Sequence, residues 1–165
     1  MKFSKHNTAR CSLPSPWGPM TLVAHDTALI WVGFDGQKHA PDYKQWPVRT
    51  DHPVLQAACT QLQQYFAGER HNFDLPMDLS NGTDFQQRVW QRLLHIAPGA
   101  TTSYGAISSD LAQPLAVRAV GGAVGRNPIS IIVPCHRVLG RDGAITGYAG
   151  GVDRKVALLQ LESRL

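Results

Sequence analysis

The segment Pro134-Cys135-His136-Arg137-Val138 contains the residue types in this sequence that could carry covalent chemistry. A cysteine after an apolar run is most often a small buried hydrophobic residue. Pro134, however, ends a strand and bends the chain, which can direct the thiol into a cleft. His136 and Arg137 make the surroundings electropositive, and the thiolate is the form of cysteine that reacts. The segment therefore predicts a nucleophilic Cys135.

His136 and Glu162 are the candidates for activating the Cys135 thiol. Adjacent side chains of an extended strand point to opposite faces, so His136 can reach Cys135 only across such a bend, where one water could bridge the two side chains. Glu162, near the end of the last predicted helix, could orient His136 and complete a set of nucleophile, base and orienting group. An acidic residue on a terminal helix is more commonly a solvated one, and the residues alone leave both interpretations open.

A second unusual segment surrounds Arg118, the one long cation in a predicted helix of small residues. The small residues are Ala116, Ala119, Gly121, Gly122 and Ala123. Small side chains let a helix backbone approach another surface closely. That surface could be a nucleic acid or the protein's own core, and the composition alone favours neither.

The elements around Arg118 form a predicted pair of helices. They are expected over residues 103–111 and 114–124, joined by Ala112-Gln113, and Pro114 suits a first helical turn. Two helices across so short a turn indicate a helix-turn-helix, which places its second helix against DNA. A plain helical hairpin has the same outline.

The first half of the chain predicts strands followed by a helix. Two strand-like runs, residues 20–24 and 28–34, are separated by Asp26-Thr27 as in a hairpin. Pro53 then opens a helix that Gly68 ends, with apolar residues at intervals of three and four. These residues are Leu55, Ala58, Cys59, Leu62 and Phe66. The stripe predicts that Cys59 is buried and structural.

Residues 70–82 read as a linker because polar residues, proline and glycine break any period, and a domain boundary is placed near residue 80. Thr83 and Gln86 then form a capping box for a helix that stops before Pro98. Residues 129–133 predict a buried strand leading into the cysteine turn, and residues 140–151 predict a Gly-rich loop. A last helix carries the apolar residues Val156, Leu158, Leu159 and Leu161.

Composition limits the classes of protein that this chain can represent. It has 165 residues, 43% of them hydrophobic, and a net charge of +4, and the whole positive excess lies in residues 84–165. A basic excess confined to one half fits a polyanion such as nucleic acid. Three cysteines in no zinc-like spacing predict free thiols and no metal. No apolar run before Pro14 could serve as a signal peptide or membrane span, so we expect a cytoplasmic protein.

Residues 118–138 closely resemble the active-site region of the O6-alkylguanine-DNA alkyltransferases, also called methylated-DNA:protein-cysteine methyltransferases. The similarity extends to Ser103-Tyr104-Gly105, to residues 147–151 and, more loosely, to residues 65–68. It implies an α/β N-terminal domain over residues 1–80, with a small antiparallel sheet plus helix of ribonuclease H-like type. A mostly α-helical, helix-turn-helix (winged-helix-like) domain would follow over residues 81–165 and bind DNA.

The resemblance implies a role for each residue of the cysteine turn. Cys135 would accept the alkyl group of O6-alkylguanine, and possibly of O4-alkylthymine, in double-stranded DNA, in a reaction that consumes the protein. His136, with a water and Glu162, would deprotonate the thiol. Asn127 would tie the second helix to the turn, and Tyr104 would donate a proton to N3 of the leaving guanine.

The resemblance also implies a DNA surface and a base pocket. Arg118 would replace the extruded nucleotide, because an in-line attack requires a base that has left the stack. The DNA surface would further include Ala116, Ala119, Gly122 and Arg126. The pocket would be lined by Tyr104, Val138, Tyr148 and Ala149. A monomer without cofactor or metal is implied, and Val117 stands where the family commonly has alanine.

Two other classes of protein compete with this interpretation. A DNA-binding regulator or damage sensor would use the helix-turn-helix without chemistry, and the presence of Cys135 argues against it. A cysteine hydrolase would use Cys135 and His136 but has no need for an arginine in a helix of Gly and Ala.

Overall fold

The N-terminal half is built on a three-stranded antiparallel sheet. The computed structural model describes residues 7–164. The expectation that the start of the chain holds no signal peptide or membrane span therefore lies outside the described residues for the first six positions. The strands are β1 (Ala9–Leu13), β2 (Met20–Ala24) and β3 (Leu29–Phe34), in spatial order β1-β2-β3. The predicted hairpin between β2 and β3 is confirmed. Strand β1 was not predicted, because its sequence Ala-Arg-Cys-Ser-Leu contains no β-branched or aromatic residue.

Helix α1 (Pro53–Phe66) packs on this sheet as predicted. Proline occupies its first turn, where a missing N–H has no consequence, and Gly68 follows its end with a φ of 76°. The fully buried positions are Leu55, Ala58, Leu62 and Tyr65. The prediction for Cys59 was wrong in one respect: its side chain is only half-buried, at the edge of the apolar stripe.

The segment predicted as a linker is attached to the sheet. The amide of Leu29 donates to the carbonyl of Pro76 at 2.9 Å, and the amide of Asp78 donates to Leu29 at 2.8 Å. Further along the same strand, the amide of Val32 donates to Pro128 at 2.9 Å. Strand β3 therefore holds segments from both halves of the chain, and the boundary near residue 80 stays a prediction.

The C-terminal half is mainly helical. Its elements are α2 (Asp84–Leu93), β4 (Thr102–Ser103), α3 (Tyr104–Asp110), α4 (Val117–Gly125), β5 (Val138–Leu139) and α5 (Val152–Glu162). The predicted capping box between Thr83 and Gln86 is present. The indole N–H of Trp90 on α2 donates to the carbonyl of Ala123 at 2.8 Å, which ties α2 to α4. Strands β4 and β5 form a short parallel pair.

The prediction that Pro114 opens the second helix was wrong, because α4 begins three residues later at Val117. Ala112 has a φ of 58°, and the amide of Gln113 returns to the carbonyl of Ser108 at 3.0 Å, which ends α3. The amide of Ala116 then donates to Gln113 at 2.9 Å. Pro114 is thus the second residue of a β-turn, a position that its fixed φ also suits.

The predicted strand over residues 129–133 is a buried turn. Ile131 has a φ of 73°, rare for a β-branched residue, and the amide of Val133 donates back to Ile129 at 3.0 Å. Only isolated bridges remain, including one from Ile129 to Val32 on β3. A short apolar run indicates burial but cannot by itself distinguish a strand from a buried turn. Within residues 7–164, no helix has the length and apolar character needed to cross a bilayer.

Candidate functional site

The site is organised by a single turn of 3-10 helix, Cys135–Arg137, between Pro134 and β5. Asn127, two residues beyond the end of α4, is hydrogen-bonded to the segment that leads into this turn. Its side-chain amide donates to the carbonyl of Val133 at 2.7 Å, and its carbonyl oxygen accepts from the amide of Ile129 at 3.0 Å. The end of α4 and the cysteine turn are therefore connected through one buried side chain.

Cys135 is buried, with 5% of the residue exposed. Burial raises its pKa, although Asn127 and the charge of Lys155 act in the opposite direction. The thiol is thus protonated at rest and needs a base before it can react. The expectation that Arg137 makes the thiol surroundings electropositive was wrong, because the Arg137 guanidinium is committed to Glu162 instead.

His136 follows Cys135 in the chain, is completely buried, and is the candidate for that base. Its Nε2 lies 2.7 Å from Oε1 of Glu162, whereas Nδ1 has no hydrogen-bond partner among the described residues. Burial lowers the pKa of His136, and the Glu162 carboxylate only partly opposes this shift. A neutral imidazole whose Nε2–H donates to a carboxylate leaves Nδ1 as a proton acceptor.

Glu162 is 2% exposed and accepts hydrogen bonds from three side chains. Besides His136, the guanidinium of Arg137 donates at 2.9 and 2.8 Å, and the phenol of Tyr65 donates at 2.8 Å. Burial alone would raise the pKa of Glu162, but hydrogen bonds and charge from His136 and Arg137 outweigh it and hold the pKa far below its usual range. The carboxylate is therefore a fixed anion behind His136.

Two residues of the site, Tyr65 and Lys155, were not predicted from the sequence. Lys155 is fully buried on α5, and its ammonium donates to the carbonyl of Val138 at 2.6 Å. The fully buried face of α5 comprises Lys155, Leu158 and Glu162, so the predicted apolar face was only partly right. The available signal was spacing: Lys155 and Glu162 are seven positions apart, which places both on one helix face. No local signal identified Tyr65.

A cavity of about 310 Å³ opens over the Cys135 thiol. Its lining residues include Tyr104, Tyr148 and Ala149, all predicted for the pocket, and also Lys38 and His39, which were not. Val138 does not line it; this residue is buried and its carbonyl accepts from Lys155. Burial raises the pKa of the Tyr148 phenol well above its usual value, and a thiolate on the neighbouring Cys135 would raise it further.

The outward face of α4 is exposed at most of its positions. Arg118, Ala119, Gly122 and Arg126 are exposed, and Ala116 is half-exposed. Within residues 7–164, Arg118 makes no hydrogen bond or ion pair, and a side chain added at Gly122 would meet no protein atom. Arg126 lies 3.3 Å from the imidazole of His39 at the edge of the cavity. The inward face of α4 meets the cavity through Gly121, Val124 and Gly125.

Two protein-family models match consecutive parts of the chain. Residues 10–79 match the ribonuclease-like domain of 6-O-methylguanine DNA methyltransferase, and residues 84–164 match its DNA binding domain. The chain belongs to this methyltransferase family. The α/β sheet domain and the following helical domain expected from the sequence are thereby confirmed.

Individual members of the methyltransferase family are similar over almost the whole chain. The methylated-DNA--protein-cysteine methyltransferase of Mycobacterium tuberculosis H37Rv is 50% identical over 151 residues, 92% of this chain and 90% of its own. The Haemophilus influenzae protein of the same name is 43% identical, over 90% of this chain and 83% of its own. A crystal structure of the M. tuberculosis protein in complex with DNA superimposes with a TM-score of 0.86 at 47% identity, over 94% of this chain and 93% of that one.

Proposed function

We propose that the protein repairs DNA by transferring an alkyl group from O6 of guanine to Sγ of Cys135, once per molecule. The observation that carries this proposal is that Cys135 lines a cavity beside α4, while its chain neighbour His136 is buried in contact with Glu162. The chain belongs to the methyltransferase family, and its relatives are named for methyl transfer between methylated DNA and a protein cysteine. This membership supports the same reaction.

The reaction begins with proton transfer from the Cys135 thiol to Nδ1 of His136 through a bridging water. The imidazolium that forms is stabilised by Glu162, which stays ionised because Arg137 and Tyr65 also donate to it. The thiolate then attacks the alkyl carbon in line, and the bond from that carbon to O6 breaks as the S–C bond forms. A thioether has no evident return path, so each molecule reacts once.

The leaving guanine would be neutralised within the cavity. Tyr104 lines this cavity with its phenol, which accepts a hydrogen bond from Thr146 at 3.3 Å and retains its own proton for N3 of the base. Tyr148 and Ala149 would form the opposite wall. One lone pair of the Val138 carbonyl is occupied by Lys155, so a guanine amino group would use the second.

The exposed face of α4 would lie in the minor groove, where its small residues allow close approach. Arg118 has no partner among the described residues and would occupy the gap left by the flipped nucleotide. Arg126, beside the cavity edge, would contact a phosphate. One chain supplies every group in this scheme, so we take the active form to be a monomer, acting on O6-alkylguanine in the cytoplasm.

The test is the mass of the intact protein after incubation with duplex DNA that contains O6-methylguanine. One added methyl group is expected, and peptide mapping should locate it on Cys135 rather than on Cys11 or Cys59. Cys135→Ser is the control and should remain unmodified. Transfer of more than one methyl group per molecule, or full activity of Cys135→Ser, would contradict the proposal.

A further inference from the structure

The other two cysteines form a close pair away from the proposed acceptor. Sγ of Cys11 on β1 lies 3.5 Å from Sγ of Cys59 on α1, and the two residues are 48 positions apart in the sequence. Cys11 is buried and Cys59 is half-buried, and both are free thiols. Neither residue lines the cavity over Cys135, so the mechanism does not use this pair.

The two thiols are not equivalent. A hydrogen bond from Cys11 lowers the pKa of Cys59, whereas the same contact together with burial raises the pKa of Cys11. Cys59 is also the more exposed of the two. An oxidant in solution therefore meets Cys59 as the more exposed and more readily ionised thiol of the pair, with Cys11 already in contact with its sulfur. Cys135 differs, because burial raises its pKa.

We propose that Cys11 and Cys59 form a dithiol site that hydroperoxides oxidise to a disulfide while Cys135 stays reduced. The Cys59 thiol gives its proton to solvent, and the thiolate attacks the terminal oxygen of the hydroperoxide. The O–O bond breaks, a sulfenic acid forms on Cys59, and the leaving alkoxide or hydroxide takes a proton from solvent to give an alcohol or water. The Cys11 thiol then attacks the sulfenic sulfur, and water leaves as the S–S bond forms. The two electrons lost by the thiols reduce the peroxide.

The geometry favours the disulfide over further oxidation of Cys59. A disulfide has an S–S distance of about 2.0 Å, so the sulfurs need to approach by roughly 1.5 Å. Strand β1 and helix α1 pack directly against each other, which keeps Cys11 beside any sulfenic acid formed on Cys59. The protein could thus react with one equivalent of peroxide and keep its acceptor thiol, and a small thiol would reverse the change.

The experiment treats the reduced full-length protein with equimolar hydrogen peroxide. Remaining thiols are then blocked in denaturant, and the peptides are mapped without reduction. We expect a Cys11–Cys59 cross-linked peptide, a loss of two hydrogens from the intact mass, and a blocked, unoxidised Cys135. Dithiothreitol should restore the original mass. This readout follows each cysteine chemically and does not depend on alkyl transfer.

Two variants make the result decisive. Cys11→Ser should leave Cys59 as a sulfenic acid that dimedone traps, and Cys59→Ser should form no disulfide. Oxidation should raise the melting temperature of the unsubstituted protein and leave that of Cys59→Ser unchanged, because a cross-link over this separation restricts the unfolded chain. Oxidation of Cys135 before the pair, or absence of the cross-linked peptide, would overturn the proposal.

Discussion

The phenol of Tyr65 donates a 2.8 Å hydrogen bond to Oε1 of Glu162, the same oxygen that lies 2.7 Å from His136 Nε2. Tyr65 belongs to α1 and Glu162 to α5, so the N-terminal half contributes directly to the group that supports the proposed base. A carboxylate oxygen shared among several donors is less basic than one that faces a histidine alone. In the proposed mechanism, Glu162 would therefore stabilise the imidazolium without taking its proton.

Tyr65→Phe should move the pH dependence of the reaction with free O6-benzylguanine. With one donor removed, Glu162 interacts more strongly with His136, so the pKa of His136 rises and the acidic limb of the rate profile shifts to higher pH. The fold should lose only about 1 kcal/mol of stability, because Glu162 keeps its other donors. Tyr43→Phe, in the same half of the chain but outside this contact, is the control. An unchanged profile for Tyr65→Phe would mean that the tyrosine only packs.

Glu162→Gln should slow the reaction with O6-benzylguanine and raise the apparent pKa of the Cys135 thiol, since the relay loses its anion. Arg137 would remain buried without a counter-charge, which costs about 3–5 kcal/mol of stability. The rate profile and the urea midpoint measure these two effects. Glu69, the other glutamate of the sequence, is exposed, and Glu69→Gln should leave both unchanged. A normal rate profile in a folded Glu162→Gln protein would assign the orientation of His136 to another group.

Arg118→Ala should separate DNA handling from chemistry. If Arg118 fills the gap left by the flipped nucleotide, repair of duplex DNA slows while the reaction with the free base is nearly unchanged. A mismatch or gap opposite the lesion should partly restore the rate, because unstacking then requires less energy. Arg49→Ala, which changes an arginine paired with Asp51 in the N-terminal half, is the control. Equal losses of affinity and repair, with the salt slope lower by about one charge, would indicate a phosphate contact only.

Acid should destabilise the protein through His136 and Glu162. The pKa values of both are lowered in the folded state, from ordinary values of 6.5 and 4.5. Their contributions are fully present above those ordinary values and are lost as the pH falls below them, because the unfolded chain then binds more protons. Urea midpoints measured from neutral to acidic pH should fall first through His136 and then through Glu162. Glu162→Gln should show a smaller second fall, because the hydrogen bond from Ser80 also lowers the pKa of Asp78, which still contributes. A second fall of unchanged size would contradict this assignment.

The elements that are periodic in the sequence were predictable, because local patterns determine them. The hairpin of β2 and β3, helix α1 and the Thr83 capping box follow from spacing and end signals alone. The start of the second helix and residues 129–133 were wrongly assigned because each region contains a residue with a positive φ, Ala112 and Ile131. The side chains of alanine and isoleucine give no sign of that conformation in the sequence. Ile131 adopts it where the Asn127 side chain bonds the backbone on either side.

The chemistry of the site was predictable in part. Cys135, His136 and Glu162 could be named from a motif and a resemblance, whereas Tyr65 could not, because its contact with Glu162 spans 97 positions and depends on tertiary packing. The protonation state of the Cys135 thiol could not be predicted from the sequence either. Neighbouring positive residues predicted a stabilised thiolate, but burial dominates and keeps the thiol protonated.

Asn127 has a consequence for the DNA partner. Its side chain connects the end of α4 to the segment before Cys135, so in the proposed complex the helix that faces DNA and the acceptor sulfur would keep a fixed separation. The protein would then fix the distance from the minor groove to Sγ of Cys135. The duplex would have to distort until the lesion reaches that sulfur. Stiffness of the DNA around a lesion thereby enters the reaction barrier. Lesions beside flexible pyrimidine–purine steps should be repaired faster than identical lesions within rigid A-tracts, although no side chain reads those bases.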